Sequence, residues 1–386
     1  MTLMHHRISG PDGAPTVLLS NSLGTSLEMW DEQVAPLTEH VRVLRYDHRG
    51  HGDSPAPPGP YSIADLGGDV LELLDHLGLE RVSVVGLSLG GMVGMWLGAH
   101  QPERVERLVL CSTAPILGPR DNWASRAVQV RAEGTVSLLP ALFERWFTAR
   151  SRAERPDLID RFTEMLSRAD DEGYASCCAA VASMDQRNEL SRITAPTLLV
   201  FGAEDPVTPP EAGEALRQGI AESGLVVLPR AAHIVNVEQP AAFTRALIDH
   251  LVGDPFDRGL AKRRAVLGEE HVARSSREAS VFTAPFQELI TRYAWGEIWS
   301  RPGLSEETRR LLTIAMLASL GRHEELELHL RASISCGVSS ETIREVLLQT
   351  AVYAGVPAAN SAFAIAKRVL AETEGRDDNG PGPASR

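Results

Sequence analysis

The sequence predicts an α/β domain with a mostly parallel sheet and a helical insertion, followed by a separate all-α domain. Three observations carry this. From Thr16 to Leu251, short apolar runs ending in Gly, Ser or Asp turns alternate with segments of helical period. Between about Pro115 and Arg192 the alternation stops, and Arg, Ala and Glu recur at helical spacing without a strand signal. After Gly253-Asp254-Pro255-Phe256-Asp257-Arg258-Gly259, a linker-like stretch, only helical periods remain. At 386 residues the chain has the length of two or three domains. The expected organisation is an α/β domain over 1–252 with its helical cap at about 115–192, a linker over 253–259, and a helical domain over 260–373. A disordered tail is expected over 374–386.

In chain order, Thr16 to Ser20 reads as a buried strand that ends in Asn21-Ser22-Leu23-Gly24-Thr25. Val41 to Tyr46 is a second strand, running into Asp47-His48-Arg49-Gly50-His51-Gly52-Asp53-Ser54. The two histidines of that glycine turn are expected to hold its shape. Tyr61 to Leu77 is an amphipathic helix. Then Arg81 to Val85, Gly86-Leu87-Ser88-Leu89-Gly90-Gly91 and Met92 to His100 read as strand, tight turn and helix. In that context G-x-S-x-G is a nucleophile elbow, with Ser88 at a helix N-terminus that favours developing negative charge. Arg107 to Ser112 is the next strand. Beyond the insertion, Pro196 to Gly202 leads into Glu204-Asp205, and Leu225 to Pro229 leads into Ala231-Ala232-His233. Ala241 to Leu251 closes the domain as a helix.

Ser88, Asp205 and His233 thus fall at predicted strand ends, in the order nucleophile, acid, base. Their expected roles are attack on an acyl carbon (Ser88), proton transfer (His233) and orientation of the imidazole (Asp205). Glu204 is the rival acid. In the second domain, helical period covers Arg258 to Leu267, Thr283 to Ser300, Ser305 to Leu320, His323 to Cys336, Ser340 to Ala354 and Ala358 to Ala371.

The net charge of −13 argues against a nucleic-acid partner. An anionic substrate would need a local basic patch against that field. No apolar run approaches the ~18 residues of a membrane span. The start of the chain lacks the pattern of a secretory signal, and four cysteines without metal or redox spacing suit a reducing cytoplasm. No metal or cofactor motif occurs, so side chains alone are expected to carry the chemistry.

The first domain resembles β-ketoadipate enol-lactone hydrolases, which have the α/β-hydrolase fold. Besides the elbow, the likeness rests on Asn21 to Thr25, the D-x-R-G-x-G-x-S turn at Asp47 to Ser54, Ser112-Thr113-Ala114-Pro115 leading to Trp123, Glu144 to Thr148, and Gly173 to Ala180. It implies an oxyanion hole formed by the N–H groups of Leu23 and Leu89. The helical domain resembles γ-carboxymuconolactone decarboxylases, on the alkylhydroperoxidase-like (AhpD-like) scaffold. The matching stretches are Arg263 to Gly268, Trp295 to Leu304, Thr313 to Leu317, Glu325 to Ala332 and Tyr353 to Asn360. The redox members of that scaffold use C-x-x-C where this chain has Arg322-His323-Glu324-Glu325, so thiol chemistry is not expected. The two resemblances imply consecutive steps of protocatechuate catabolism, with small lactone carboxylates as substrates and a homo-oligomer built through the helical domain.

An enol-lactone carries a carboxylate that needs a cation. Trp123 and Arg126, three apart on a cap helix, could cover the ring and pair with that carboxylate. The plainer alternative is that Arg126 is one of several solvated cap arginines, with Arg120, Arg131, Arg145 and Arg150. For decarboxylation, Glu325 and His329 lie at i, i+4 and can face one cavity, with His329 as general acid. Arg309 and Arg301 are candidates for carboxylate binding, and Glu297 is a further polar member. Against this, such helical pairs and arginines are commonly just solvated. The alternative reading is another serine esterase or carbon–carbon hydrolase joined to a non-catalytic oligomerisation domain.

Overall fold

In a computed structural model, which describes residues 3–301 and 303–377, the chain divides into two compact units, Met1–Val252 and Gly253–Arg386. The first is built on a seven-stranded sheet of β1 (His6–Ser9), β2 (Thr16–Ser20), β3 (Arg42–Tyr46), β4 (Val82–Leu87), β5 (Val105–Cys111), β6 (Thr197–Gly202) and β7 (Ser223–Leu228). The strand order is β1-β3-β2-β4-β5-β6-β7, with β1 antiparallel to β3 and every other pairing parallel. Every residue of β2 and β4 is buried, which is why both read as near-continuous apolar runs. Strand β1 gave no signal because it is short, polar and only partly buried at the sheet edge. The register pairs Ser20 with Gly86, Leu87 with Cys111 and Gly202 with Leu228, so the carboxyl ends of the parallel strands meet along one rim. Open α/β sheets bind their ligands at that rim.

Helices of this unit are α1 (Asp31–Thr38), α2 (Ile63–His76), α3 (Leu89–His100), α4 (Arg120–Glu133), α5 (Leu139–Trp146), α6 (Ala149–Glu154), α7 (Pro156–Ser167), α8 (Asp171–Ser183), α9 (Pro210–Gly219), α10 (Val235–Glu238) and α11 (Pro240–Val252). Helix α2 starts at a reciprocal cap, in which Ser62 and Asp65 satisfy each other's backbone N–H. Helices α4 to α8 form the strand-free insertion.

The second unit holds α12 (Pro255–Leu267), α13 (Glu269–Arg277), α14 (Ala284–Ile290), a π-helical segment (Thr291–Trp299), α15 (Glu306–Ser319), α16 (His323–Ser335), α17 (Ser340–Ala354) and α18 (Val356–Asp377). Ile314, Leu326, Leu330, Ile343, Leu347 and Val369 make its core. Ser305 caps α15 by accepting the N–H of Thr308.

Three expectations need correction here. The stretch over 253–259 is not a linker throughout, since α12 begins at Pro255, with the Asp254 side chain accepting the N–H of Phe256. Gly259 belongs to that helix and lets it cross the π segment closely, because a Cβ there would fall on the carbonyl of Thr291. Helix α13 was missed because its charged sequence buries only Val272 and so has no apolar period. At the end, α18 starts at Val356, next to Pro357, and runs to Asp377, so residues 374–377 are helical rather than tail. The remainder of the expected tail, 378–386, lies outside the described residues. Among the described residues no helix is long and apolar enough to cross a membrane.

Candidate active sites

Ser88 stands between the end of β4 and the start of α3 with φ 56° and ψ −111°, a conformation a side chain adopts only when its surroundings force it. The elbow is held by backbone bonds from Ser88 N–H to the Cys111 carbonyl and from Gly90 N–H to the Asn21 carbonyl, both 2.9 Å. Thr113 Oγ1 donates to the Ser88 carbonyl at 2.8 Å. A Cβ on Gly90 would strike the carbonyl of Ser20, so this turn accepts only glycine there. Leu89 follows Ser88 as the first residue of α3, where N–H groups have no acceptor within the helix. Leu23 lines the same cavity as Ser88.

His233 Nδ1 and Asp205 Oδ2 are 2.9 Å apart, and both side chains are buried. Asp205 also accepts from Thr208 Oγ1 at 2.6 Å and from the N–H groups of Val207 and Thr208 at 2.8 and 3.1 Å. Burial works against its charge, but the His233 imidazole and the hydrogen bonds of His233 and Thr208 outweigh it. Its carboxyl is therefore held below the ordinary range. Glu204, the rival, is exposed. Ser88 and His233 line one cavity under the cap, together with Ser22, Leu117, Trp123, Arg126, Leu142, Arg145, Trp146, Tyr174 and Val207. The Arg126 guanidinium lies 4.6 Å from the centre of the Trp123 ring. Arg131 and Arg150 pair with Glu172 and Glu154 instead. Arg145, grouped with the solvated cap arginines on sequence, joins Arg126 in the cavity lining.

Two supports had no strong sequence signal. The His48 ring is buried, with Nε2 3.1 Å from the Asn21 carbonyl and Nδ1 3.3 Å from Tyr46 Oη. It therefore reaches beyond its own turn to the loop that carries Leu23. Burial pushes its pKa from 6.5 down to about 3, keeping it neutral. Glu238 accepts from Ala232 N–H at 2.6 Å, from Thr148 N–H at 2.9 Å and from Thr148 Oγ1 at 2.8 Å. One carboxylate thereby joins the loop before His233 to the cap.

In the second unit His329 lies on α16 and is 9% exposed, with Nδ1 lacking a partner among the described residues. Its ring is nearly parallel to those of Trp295 and Trp299, at 6.4 and 6.2 Å between centroids. Burial, then the charges of Arg310 and His271, pushes its pKa down to about 4, against an opposing pull from Glu325. Glu325 itself is exposed. The cation that acts on His329 from α15 is Arg310, buried with bonds to the Val266 and Ala332 carbonyls at 2.9 and 3.3 Å. Arg309, the expected binder, instead donates to the Arg301 carbonyl at 2.8 Å. Glu297 faces Arg258 at 3.6 Å, which ties the π segment to α12. Sequence spacing singles out His329 and Glu325 but not Trp295, Trp299, His271 or Arg310. Trp295 and Trp299 lie four apart on the π segment, whereas His271 and Arg310 belong to α13 and α15 and share no short-range pattern with His329.

A family model described as alpha/beta hydrolase fold matches residues 15–240, and one for the carboxymuconolactone decarboxylase family matches 284–368. Over 244 residues the chain is 41% identical to a 3-oxoadipate enol-lactonase of Acinetobacter baylyi, covering 63% of this chain and 91% of that one. Over another 115 residues it is 48% identical to a 4-carboxymuconolactone decarboxylase of the same species, covering 30% of this chain and 86% of that one. The crystal structure of an enol-lactonase from Burkholderia xenovorans is similar with a TM-score of 0.63 at 45% identity, covering 64% of this chain and 96% of that one. The chain belongs to the α/β-hydrolase-fold family through its first unit and to the carboxymuconolactone decarboxylase family through its second.

Proposed function

We propose that the chain is a bifunctional cytoplasmic enzyme of protocatechuate catabolism. Its second unit decarboxylates 4-carboxymuconolactone to 3-oxoadipate enol-lactone, and its first unit hydrolyses that lactone to 3-oxoadipate. The observation that carries this reading is the presence, on one chain, of likenesses to two enzymes named for consecutive substrates, at 41% and 48% identity.

In the first unit Ser88 Oγ attacks the lactone carbonyl as its proton passes to His233. The tetrahedral oxyanion takes hydrogen bonds from the N–H groups of Leu23 and Leu89. Collapse expels the ring enolate oxygen, which becomes the ketone of the product once its carbon is protonated. Water, activated by His233, then hydrolyses the acyl-enzyme, while Asp205 holds the imidazole and balances its transient charge. Trp123 covers the ring, and Arg126 with Arg145 pairs with the side-chain carboxylate.

In the second unit loss of carbon dioxide leaves a dienolate spread over the lactone. Burial and the nearby cations favour the neutral form of His329. The arriving dianion raises its proton affinity, aided by Glu325, so that the imidazole takes up a proton from water, and His329 then delivers a proton to carbon as the general acid. Exposed Leu312, Met316, Val352 and Tyr353, together with a groove of about 500 Å³ between α15 and α17, support a homo-oligomer built through this unit.

The test is to give the lactone dicarboxylate to the wild type, Ser88→Ala and His329→Ala while following carbon dioxide, enol-lactone and 3-oxoadipate. Ser88→Ala should release carbon dioxide and accumulate enol-lactone. His329→Ala should release little carbon dioxide yet hydrolyse supplied enol-lactone normally. A wild-type chain inert toward both lactones would overturn the reading.

A further inference from the structure

We propose that Arg263 is the carboxylate anchor of the second unit, its buried guanidinium binding one carboxylate of the lactone dicarboxylate. This rests on the decarboxylase reading of that unit and adds to it a residue that neither spacing nor likeness assigned.

Arg263 lies in the middle of α12 and is 7% exposed. Among the described residues its guanidinium meets only neutral oxygens, Gln287 Oε1 at 2.9 Å, Ser275 Oγ at 3.2 Å and Thr291 Oγ1 at 3.5 Å, and Nε has no partner. The contrast with the rest of its helix is informative. Of the four basic residues on α12, Arg258 faces Glu297, Lys262 faces Glu306 and Arg264 faces Glu269, all within ion-pair distance. Arg263, the most buried of them, faces no carboxylate among the described residues. A buried charge without a counter-charge is costly, and an anion arriving from solution would relieve that cost. Arginine's planar fork also matches a carboxylate in geometry.

Space and position agree with this role. Arg263, Ser276, Gln287, Thr291 and Arg292 line a cavity of about 350 Å³. Glu288, the carboxylate in that lining, is already paired with Arg292. Thr291, one of the Arg263 partners, opens the π segment that brings Trp295 and Trp299 beside His329. The anchor is therefore linked to the imidazole that would handle the proton through one π segment, whereas Arg309 is held by the Arg301 carbonyl.

The experiment uses the full chain, with enol-lactone hydrolysis by the first unit as an internal control. Arg263→Gln should raise the KM for lactone dicarboxylate at least about thirtyfold, with a smaller change in kcat and unaltered hydrolysis. Arg263→Lys, a point charge without the fork, should fall between. Gln287→Glu covers the case in which the arginine variants fail to fold. It supplies an internal counter-charge, so it should raise Tm and also raise KM by competing for the guanidinium. A purely structural Arg263 would give the higher Tm with an unchanged KM, and that result overturns the proposal. So does a folded Arg263→Gln protein whose KM stays within about twofold of wild type. Should the wild type itself release no carbon dioxide, the decarboxylase reading falls and takes the anchor with it. An active wild type with indifferent variants removes the anchor alone.

Discussion

His48 illustrates how a buried imidazole supports a loop without lining the cavity beside it. It bridges the Asp47–Ser54 turn to the Asn21 carbonyl, and Asn21 precedes the residues that would supply an oxyanion donor. Because its folded pKa is lowered from 6.5 to about 3, the unfolded chain binds this proton first as pH falls. Its contribution to stability is then intact above about pH 6.5 and is lost on acidification toward pH 3, by at most about 1.4 kcal/mol per pH unit. Urea midpoints of wild type and His48→Gln should therefore lie further apart at about pH 7.5 than at about pH 5. A gap that stays constant would mean the ring is not held neutral. At this scale the sequence exposes residues whose chemistry is tied to a strand end, as with Ser88, Asp205 and His233. It hides those whose partners are distant. Asn21 is 27 positions from His48, and nothing in the local pattern of either announces the other.

Among elements, strands β2 and β4 could be read because burial on both faces leaves an unbroken apolar signature. Helix α13 could not, since a mostly polar helix has no such signature. The π segment was read as ordinary helix for a related reason: a change of winding leaves the spacing of apolar residues nearly intact. The cap was expected as a helical insertion, but its attachment was not foreseen. That attachment runs through Glu238, together with a bond from Ile234 N–H to the Trp146 carbonyl at 3.0 Å. Glu238→Ala should strand three donors and lower kcat/KM for enol-lactone hydrolysis roughly tenfold, with a stability loss of about 1–3 kcal/mol. Stopped-flow hydrolysis and a thermal melt check this, and unchanged kcat/KM would separate the cap from the positioning of His233.

At the scale of the whole molecule, the division into an α/β unit and a helical unit follows from where strand signals stop, near residue 253. Assembly is a different matter, since apolar period does not tell a core face from a face that meets another chain. On α15 and α17 both kinds occur: Ile314 and Leu347 are buried, whereas Val352 and Tyr353 are 75% and 82% exposed. Sedimentation should find the wild type as an oligomer, and the pair Val352→Asp with Tyr353→Asp should move it toward monomer while lactone hydrolysis persists. A wild type that sediments as a monomer would leave those side chains without a partner copy.

Arg126 and Arg145, which line the cavity of Ser88, would affect the end of the proposed catalytic cycle as well as its start. With the proposed substrate, ring opening creates a second carboxylate, so the molecule that departs is more negative than the one that arrived. Arginines that attract a monoanion will grip a dianion harder, and the acidic exterior opposes its return once it has left. Escape of the product, rather than acyl transfer, would then set the pace of the first unit.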